Sequence, residues 1–242
     1  MTHLFFMLGF ISLYSLGMLG GRKGHALYVS GLLLHAAYIV SRWLSMDHIP
    51  VSDKHDILSL VAFISALSFL YLHYIKKITD VMNVLPLLPV FLCMLSLFQE
   101  RINTINPNMD SVWFSLYMIF FIVGFAMLGI GTVLGVMYLL KTAGSLELLQ
   151  YRFTLAGWIF FSVALIAGSV WFYLSYGVYW LWTAKELWTT IIWFYYGFYL
   201  HARLLNSLKG PIAAEVGASG FIVLLFAYLG VTPILGSPWT QF

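Results

Sequence analysis

Apolar runs of membrane-spanning length recur along this chain, and they limit its fold more than any other feature. A bilayer-crossing helix takes about 20 consecutive, mostly apolar residues. Runs of that kind cover 2–21, 25–44, 57–75, 78–98, 113–140, 153–175, 186–204 and 214–235. Of the 242 residues, 62% are hydrophobic and 9% charged, against about 25% charged in soluble domains. A soluble fold cannot cover that much apolar surface. The pattern predicts an all-α, polytopic membrane protein with about eight transmembrane helices. The polar breaks are too short for a second domain, so residues 1–242 read as one transmembrane domain. Arg22 and Lys23 follow the first run rather than precede it, so that run reads as a span and not as a cleavable signal peptide.

The breaks give some of the connectivity. Gly20-Gly21-Arg22-Lys23-Gly24 and Lys76-Lys77 are short enough to imply antiparallel helix hairpins. Pro86 and Pro89 fall within the fourth run and predict a kink there, because proline removes a backbone donor and clashes with the preceding turn. The fifth run is long for one span and is expected to tilt or to project beyond the bilayer. Gly129, Gly131 and Gly135 lie inside it, where small residues allow close helix packing rather than cradling a nucleotide.

Orientation follows the distribution of Lys and Arg. The odd-numbered loops carry Arg22, Lys23, Lys76, Lys77, Lys141, Arg152, Arg203 and Lys209. The even-numbered loops and their edges carry Arg42, Lys54, Arg101 and Lys185, half as many. The odd loops are therefore expected in the cytoplasm and both termini outside. The single cysteine, Cys93, lies in an apolar run and excludes an internal disulfide or a thiolate cluster. It reads as a small buried hydrophobe.

Residues 171–188 form an expected external loop crowded with aromatic rings. Trp171, Trp180, Trp182 and Trp188 fall within it, with Lys185 and Glu186 between them, and Trp193 follows. Interfacial anchoring explains one or two Trp residues per helix end. This density points instead to a platform for a flat hydrophobic ligand. The histidines are the other candidates, because neutral imidazole ligates haem iron and many metals. His201 and His73 lie near the cytoplasmic ends of the seventh and third spans, His35 midway through the second, and His25 at its start. Each reads either as a ligand or as a helix–helix hydrogen-bond partner. His48 and His55 flank Pro50 in an external loop and read as solvated residues or as substitute ligands. No metalloprotease, Walker, nucleophile-elbow or paired-carboxylate motif is present.

Two stretches then resemble the cytochrome c assembly family, in its CcsA or ResC-like branch. The family's external signature W-G-x-x-W-x-W-D-P-K-E-x-W is similar to the stretch from Tyr176 and Gly177 through Trp180, Trp182, Thr183, Ala184, Lys185 and Glu186 to Trp188. It continues to Leu200-His201-Ala202-Arg203, matching the family's L-H-A-R. The family's L-H, R-W and G-H-x-P-x-S-N-x-Y-E pattern is similar to Leu34-His35, Arg42-Trp43 and the segment from His48 to Asp56. The resemblance implies haem b as cofactor, an inner haem site at His201 with His73 or His35 opposite, and an outer platform of Trp180, Trp182 and Trp188. Lys185 would pair with a propionate. It implies a bacterial plasma membrane protein whose partners are lipid, haem, a CcsB-like protein or a c-type cytochrome, and not nucleic acid. The same fold is also compatible with a b-type cytochrome subunit among respiratory complex subunits, or with a HemX-like regulator. Tyr117 stands where the family has an external histidine, and Gly236-Ser237-Pro238-Trp239 lacks the other one. External haem binding is therefore expected to be weak, without autonomous haem-lyase activity.

Overall fold

The computed structural model describes residues 2–46, 48–75, 84–100, 107–141, 144–205 and 208–230. Among the described residues eight α-helices follow one another: α1 (Thr2–Gly17), α2 (Gly21–Met46), α3 (Lys54–Leu70), α4 (Leu87–Leu97), α5 (Val112–Lys141), α6 (Gly144–Tyr176), α7 (Ala184–Ala202) and α8 (Pro211–Leu225). A π turn extends α3 over Tyr71–Ile75 and another extends α8 over Phe226–Gly230. The described residues contain no strand, as the all-α expectation requires. Among the described residues, five helical segments are long and apolar enough to cross a membrane: Lys23–Met46, Lys54–Ile75, Val112–Lys141, Gly144–Tyr176 and Pro211–Leu229. α1 and α4 contribute shorter apolar helices. This is a multi-pass membrane protein.

The α1–α2 connection is as tight as its sequence demands. Gly20 and Gly21 adopt φ of 75° and 69°, the left-handed region that costs glycine nothing. A Cβ on Gly24 would stand 2.8 Å from the Gly17 carbonyl oxygen, so the hairpin closes only around glycines. α3 starts on Asp53, whose carboxylate accepts from the Asp56 amide at 2.6 Å. The helices alternate in direction, so the α2–α3, α4–α5 and α6–α7 connections share one end, the even end. The others share the odd end.

α5 is the hub. It packs along α6 and also meets α8, α3 and α4. Its glycines admit the α6 side chains: a Cβ on Gly131 would come 2.5 Å from Thr154 Oγ1, and one on Gly135 would overlap the Gln150 amide. Both Gln150 and Thr154 are fully buried, and Gln150 Nε2 donates to the Ala214 carbonyl of α8 at 3.1 Å. Close packing is thus the role of the α5 glycines.

Two expectations are corrected. Pro86 is the N-cap of α4 and Pro89 lies in its first turn, so both begin the described helix rather than kink it. In a first turn the missing N–H has no intrahelical partner to lose. α6 starts at Gly144, nine residues before the apolar run. Glu147 and Arg152 hide this extension from an apolarity count, while Leu146 and Gln150 are buried on its inner face.

Candidate functional site

His201 is next to last in α7 and exposed. Its Nδ1 lies 2.8 Å from the Gly197 carbonyl one turn back. A carbonyl only accepts, so Nδ1 carries the proton and Nε2 keeps its lone pair. This is how metal-ligating imidazoles are commonly held: one nitrogen donates to a fixed acceptor while the other faces the ion. The turn after His201 is fastened by Arg203, which pairs with Glu147 of α6 and lies 5.3 Å above the Tyr151 ring. Glu147 also accepts from the Gly210 amide at 2.9 Å, so one carboxylate ties α6, the end of α7 and the start of α8.

His35 and His73 are each held by neighbours of their own. His35 is fully buried, with Nδ1 3.1 Å from the Tyr14 hydroxyl, Nε2 2.8 Å from the Ser59 hydroxyl and its ring stacked on Phe10 at 4.0 Å. Both nitrogens already hold helices α1, α2 and α3 together. His73 lies in the π turn after α3, and its ring stands 4.5 Å from that of His25.

His55 is neither a solvated loop residue nor available as a ligand without rearrangement. It is 1% exposed, its Nδ1 donates to the Ser96 carbonyl at 2.8 Å, and its Nε2 accepts from the Tyr38 hydroxyl at 2.7 Å. Beside it, Arg42 makes a two-pronged bond to Asp56 and stands 3.5 Å from Asp53. These contacts account for Asp53, His55 and Asp56 of the His48–Asp56 segment. His48 is half-buried, with Nδ1 3.2 Å from the Ile49 carbonyl.

The aromatic segment divides into anchors and exposed rings. Trp171 is buried, donates to the Asn108 carbonyl at 2.6 Å and lies parallel to Tyr117 with ring centres 6.1 Å apart. Trp193 donates to Ser162 and accepts from Trp158 through its carbonyl, bolting α7 to α6. Trp180 and Trp182 meet edge to face, ring centres 6.4 Å apart and planes at 77°. They line a shallow groove of about 370 Å³ with Leu165, Ile166, Ser169 and Thr190. Trp182 is 71% exposed and holds φ of 57°, an uncommon and costly conformation for a side chain of its size. Trp188 turns away from this pair and packs on Phe226 at 5.0 Å.

The turn into α7 is built by Thr183 and Glu186. Glu186 accepts from the amides of Leu181 and Thr183, and Thr183 caps the Glu186 amide, a complete capping box. The Thr183-Ala184 departure from Asp-Pro thus keeps the chemistry of a helix start. The Lys185 side chain and the segment Gly236–Trp239 lie outside the described residues.

Sequence reasoning missed Tyr14, Ser59, Tyr38 and Ser96, which occupy His35 and His55. Hydroxyl groups carry no spacing signal, and only the helix crossings bring them opposite the imidazoles.

The chain matches the family described as cytochrome C assembly protein over residues 25–236. The cytochrome c biogenesis protein CcsA of Chlamydomonas reinhardtii is 29% identical over 227 residues, covering 85% of this chain and 64% of that protein. CcsA of Guillardia theta is 26% identical over 273 residues, covering 95% and 90%. Among solved structures, cytochrome c heme lyase CcmF has a similar fold, with a TM-score of 0.73 at 16% identity over 96% of this chain and 47% of its own. This chain therefore spans less than two thirds of the Chlamydomonas relative and about half of CcmF. With a match across most of its length, the chain belongs to the cytochrome C assembly protein family.

Proposed function

We propose that this chain handles haem b during cytochrome c biogenesis, holding it at His201 and presenting it at the opposite face on Trp180 and Trp182. One observation carries the reading: the Nδ1–H of His201 is committed to the Gly197 carbonyl, so an exposed Nε2 lone pair is fixed in direction. Bound haem supplies an iron with axial positions to fill and the vinyl groups from which thioether links to a c-type cytochrome are made.

The chain's own residues bind and orient. Glu147, through Arg203, fastens the turn that follows His201. At the even end, Trp180 offers a ring face and Trp182 an edge, which restrict the tilt of a planar ligand. The φ of Trp182 is strain of the kind held at ligand-contacting sites. Lys185, the second residue of α7, is the cation for a propionate, and Trp188 closes the α8 side. The odd end carries the excess of Lys and Arg and faces the cytoplasm of a bacterial plasma membrane. Both termini and the aromatic segment face outward. A CcsB-like protein and a c-type cytochrome are the partners this arrangement serves.

Absorption spectra of the detergent-purified protein, oxidised and reduced, test the reading. His201→Ala is expected to abolish or shift the haem bands while the protein stays in the membrane. Full occupancy with an unchanged spectrum removes His201 from the proposal.

A further inference from the structure

One side of α2 carries His25, Tyr28, His35, Tyr38 and Arg42 at helical spacing, so they stack along its length. From His25 to Arg42 the helix rises about 25 Å at about 1.5 Å per residue, most of a hydrocarbon core about 30 Å thick. Tyr28, His35, Tyr38 and Arg42 are all buried. None of these side chains enters the haem contacts proposed above. Ionisable groups are costly to bury in a membrane, and chains of them mark proton paths.

The neighbouring helices extend the file. At the even end the Tyr38 hydroxyl lies 2.7 Å from His55 Nε2. His55 and Ser59 stand one turn apart on α3 and share a face. Ser59 Oγ lies 2.8 Å from His35 Nε2, and the Tyr14 hydroxyl of α1 lies 3.1 Å from His35 Nδ1. Tyr14 meets Tyr28 with ring centres 4.9 Å apart. Below Tyr28 come Phe69 at 4.7 Å, His73 parallel to Phe69 at 5.9 Å, and His25 at 4.5 Å from His73. A groove of about 640 Å³ lined by Gly21, His25, Ala26, Val29 and Tyr74 opens this odd end to the surface.

The two halves differ in one respect. The imidazoles of the even half are hydrogen-bonded to hydroxyls. In the odd half the Tyr28 hydroxyl, His73 Nδ1 and His25 Nε2 are buried and make no hydrogen bond. Buried polar atoms are nearly always satisfied, so three open ones in succession along one file call for an explanation. Members of a relay whose links close only when a ring turns or water enters meet that requirement. We propose that the inner side of α2, with Tyr14, His55, Ser59 and His73, is a gated proton relay between the two ends of the molecule. A hydroxyl donates and accepts, and a neutral imidazole donates at one nitrogen and accepts at the other. When a proton reaches the bare nitrogen of His35, the proton on its other nitrogen leaves to the hydroxyl oxygen beside it, whose own proton passes on. Only N–H and O–H bonds break and form, and a half-turn of the ring restores the first tautomer. The open Tyr28 hydroxyl, between Tyr14 and the His73–His25 pair, is the gate.

The test uses the full-length, haem-free protein in liposomes that hold a pH-sensitive dye, with proton uptake driven by a potassium diffusion potential set with valinomycin. Wild type is expected to take up protons about tenfold faster than protein-free liposomes. Tyr28→Phe separates a relay from a packing role. It removes a hydroxyl that bonds to nothing, so its melting curve is expected to match or exceed that of wild type. Its proton uptake is nevertheless expected to fall to the protein-free rate. Tyr14→Phe and His35→Leu are expected to abolish uptake as well, and His48→Gln to conduct as wild type. If His35→Leu fails to fold, Tyr28→Phe decides alone. Wild-type uptake at the protein-free rate overturns the relay, as does full uptake by folded Tyr28→Phe. The assay contains no haem, so its outcome is separate from that of the His201 spectrum.

Discussion

Arg42 grips Asp56 through two hydrogen bonds, Nε to Oδ1 at 3.1 Å and Nη2 to Oδ2 at 2.6 Å, with each side chain only 3% exposed. The pair joins the end of α2 to the first turn of α3. Removing one member leaves the other charged and buried, which typically costs about 3–5 kcal/mol. Asp56→Ala is therefore expected to lower the thermal midpoint in detergent far more than an exposed substitution such as Leu205→Ala. A neutral triad, Arg42→Met with Asp56→Leu and Asp53→Asn, is expected to recover much of the loss, because Arg42 also stands 3.5 Å from the buried Asp53. A melting curve of Asp56→Ala that overlays wild type would show that the pair is not stabilising.

Gly135 is expected to tolerate no added methyl. A Cβ there overlaps the buried Gln150 side chain, whose amide is already committed to Ala214. Overpacking of this kind costs about 1–3 kcal/mol. Gly135→Ala should reduce stability, and Gln150→Ala in the same chain should relieve part of the strain. Thermal unfolding of the two single variants and the double variant gives the coupling directly.

Thr183→Ala should cost about 1 kcal/mol by removing the α7 cap, and Thr183→Asp should be near neutral, because aspartate caps as well as threonine. The same cap fixes Leu181 and Trp182 through Glu186. Trp fluorescence is expected to shift with Thr183→Ala and not with Thr183→Asp.

Single cysteines at Val178 and Ser145, both at exposed positions, are expected to label with a membrane-impermeant reagent from opposite sides of the membrane. Cys93 is fully buried and should not compete. External labelling of Ser145→Cys would reverse the proposed orientation.

Tyr117 lies parallel to Trp171 and faces Gly168, where a Cβ would come 3.0 Å from its ring. Phenol here in place of imidazole predicts weak external haem binding. Wild-type chain expressed alone in a maturation-deficient cell is expected to attach no haem to a reporter cytochrome. Tyr117→His should raise haem affinity measured by titration at least tenfold. Efficient attachment by the wild-type chain would require another external ligand, and His48 would be the first to test.

Run length and the excess of apolar residues determined the all-α membrane architecture and the order of eight helices, because a lipid-exposed backbone must satisfy its own hydrogen bonds. The glycine turn before α2 and the close-packing glycines of α5 were also legible, since a missing side chain is visible in sequence. The tertiary structure decided the fate of the histidines. His35, His55, His73 and His201 look alike on a helical wheel. Crossing helices bring Tyr14 and Ser59 to His35, and Tyr38 and Ser96 to His55, while His73 meets His25 and only His201 keeps an exposed, oriented nitrogen. Pro86 and the true start of α6 were likewise settled by packing, because burial of Leu146 and Gln150 outweighs the charges that interrupt the apolar run. Local composition specifies which segments enter the membrane. Which polar atoms remain unpaired depends on the neighbours each helix acquires.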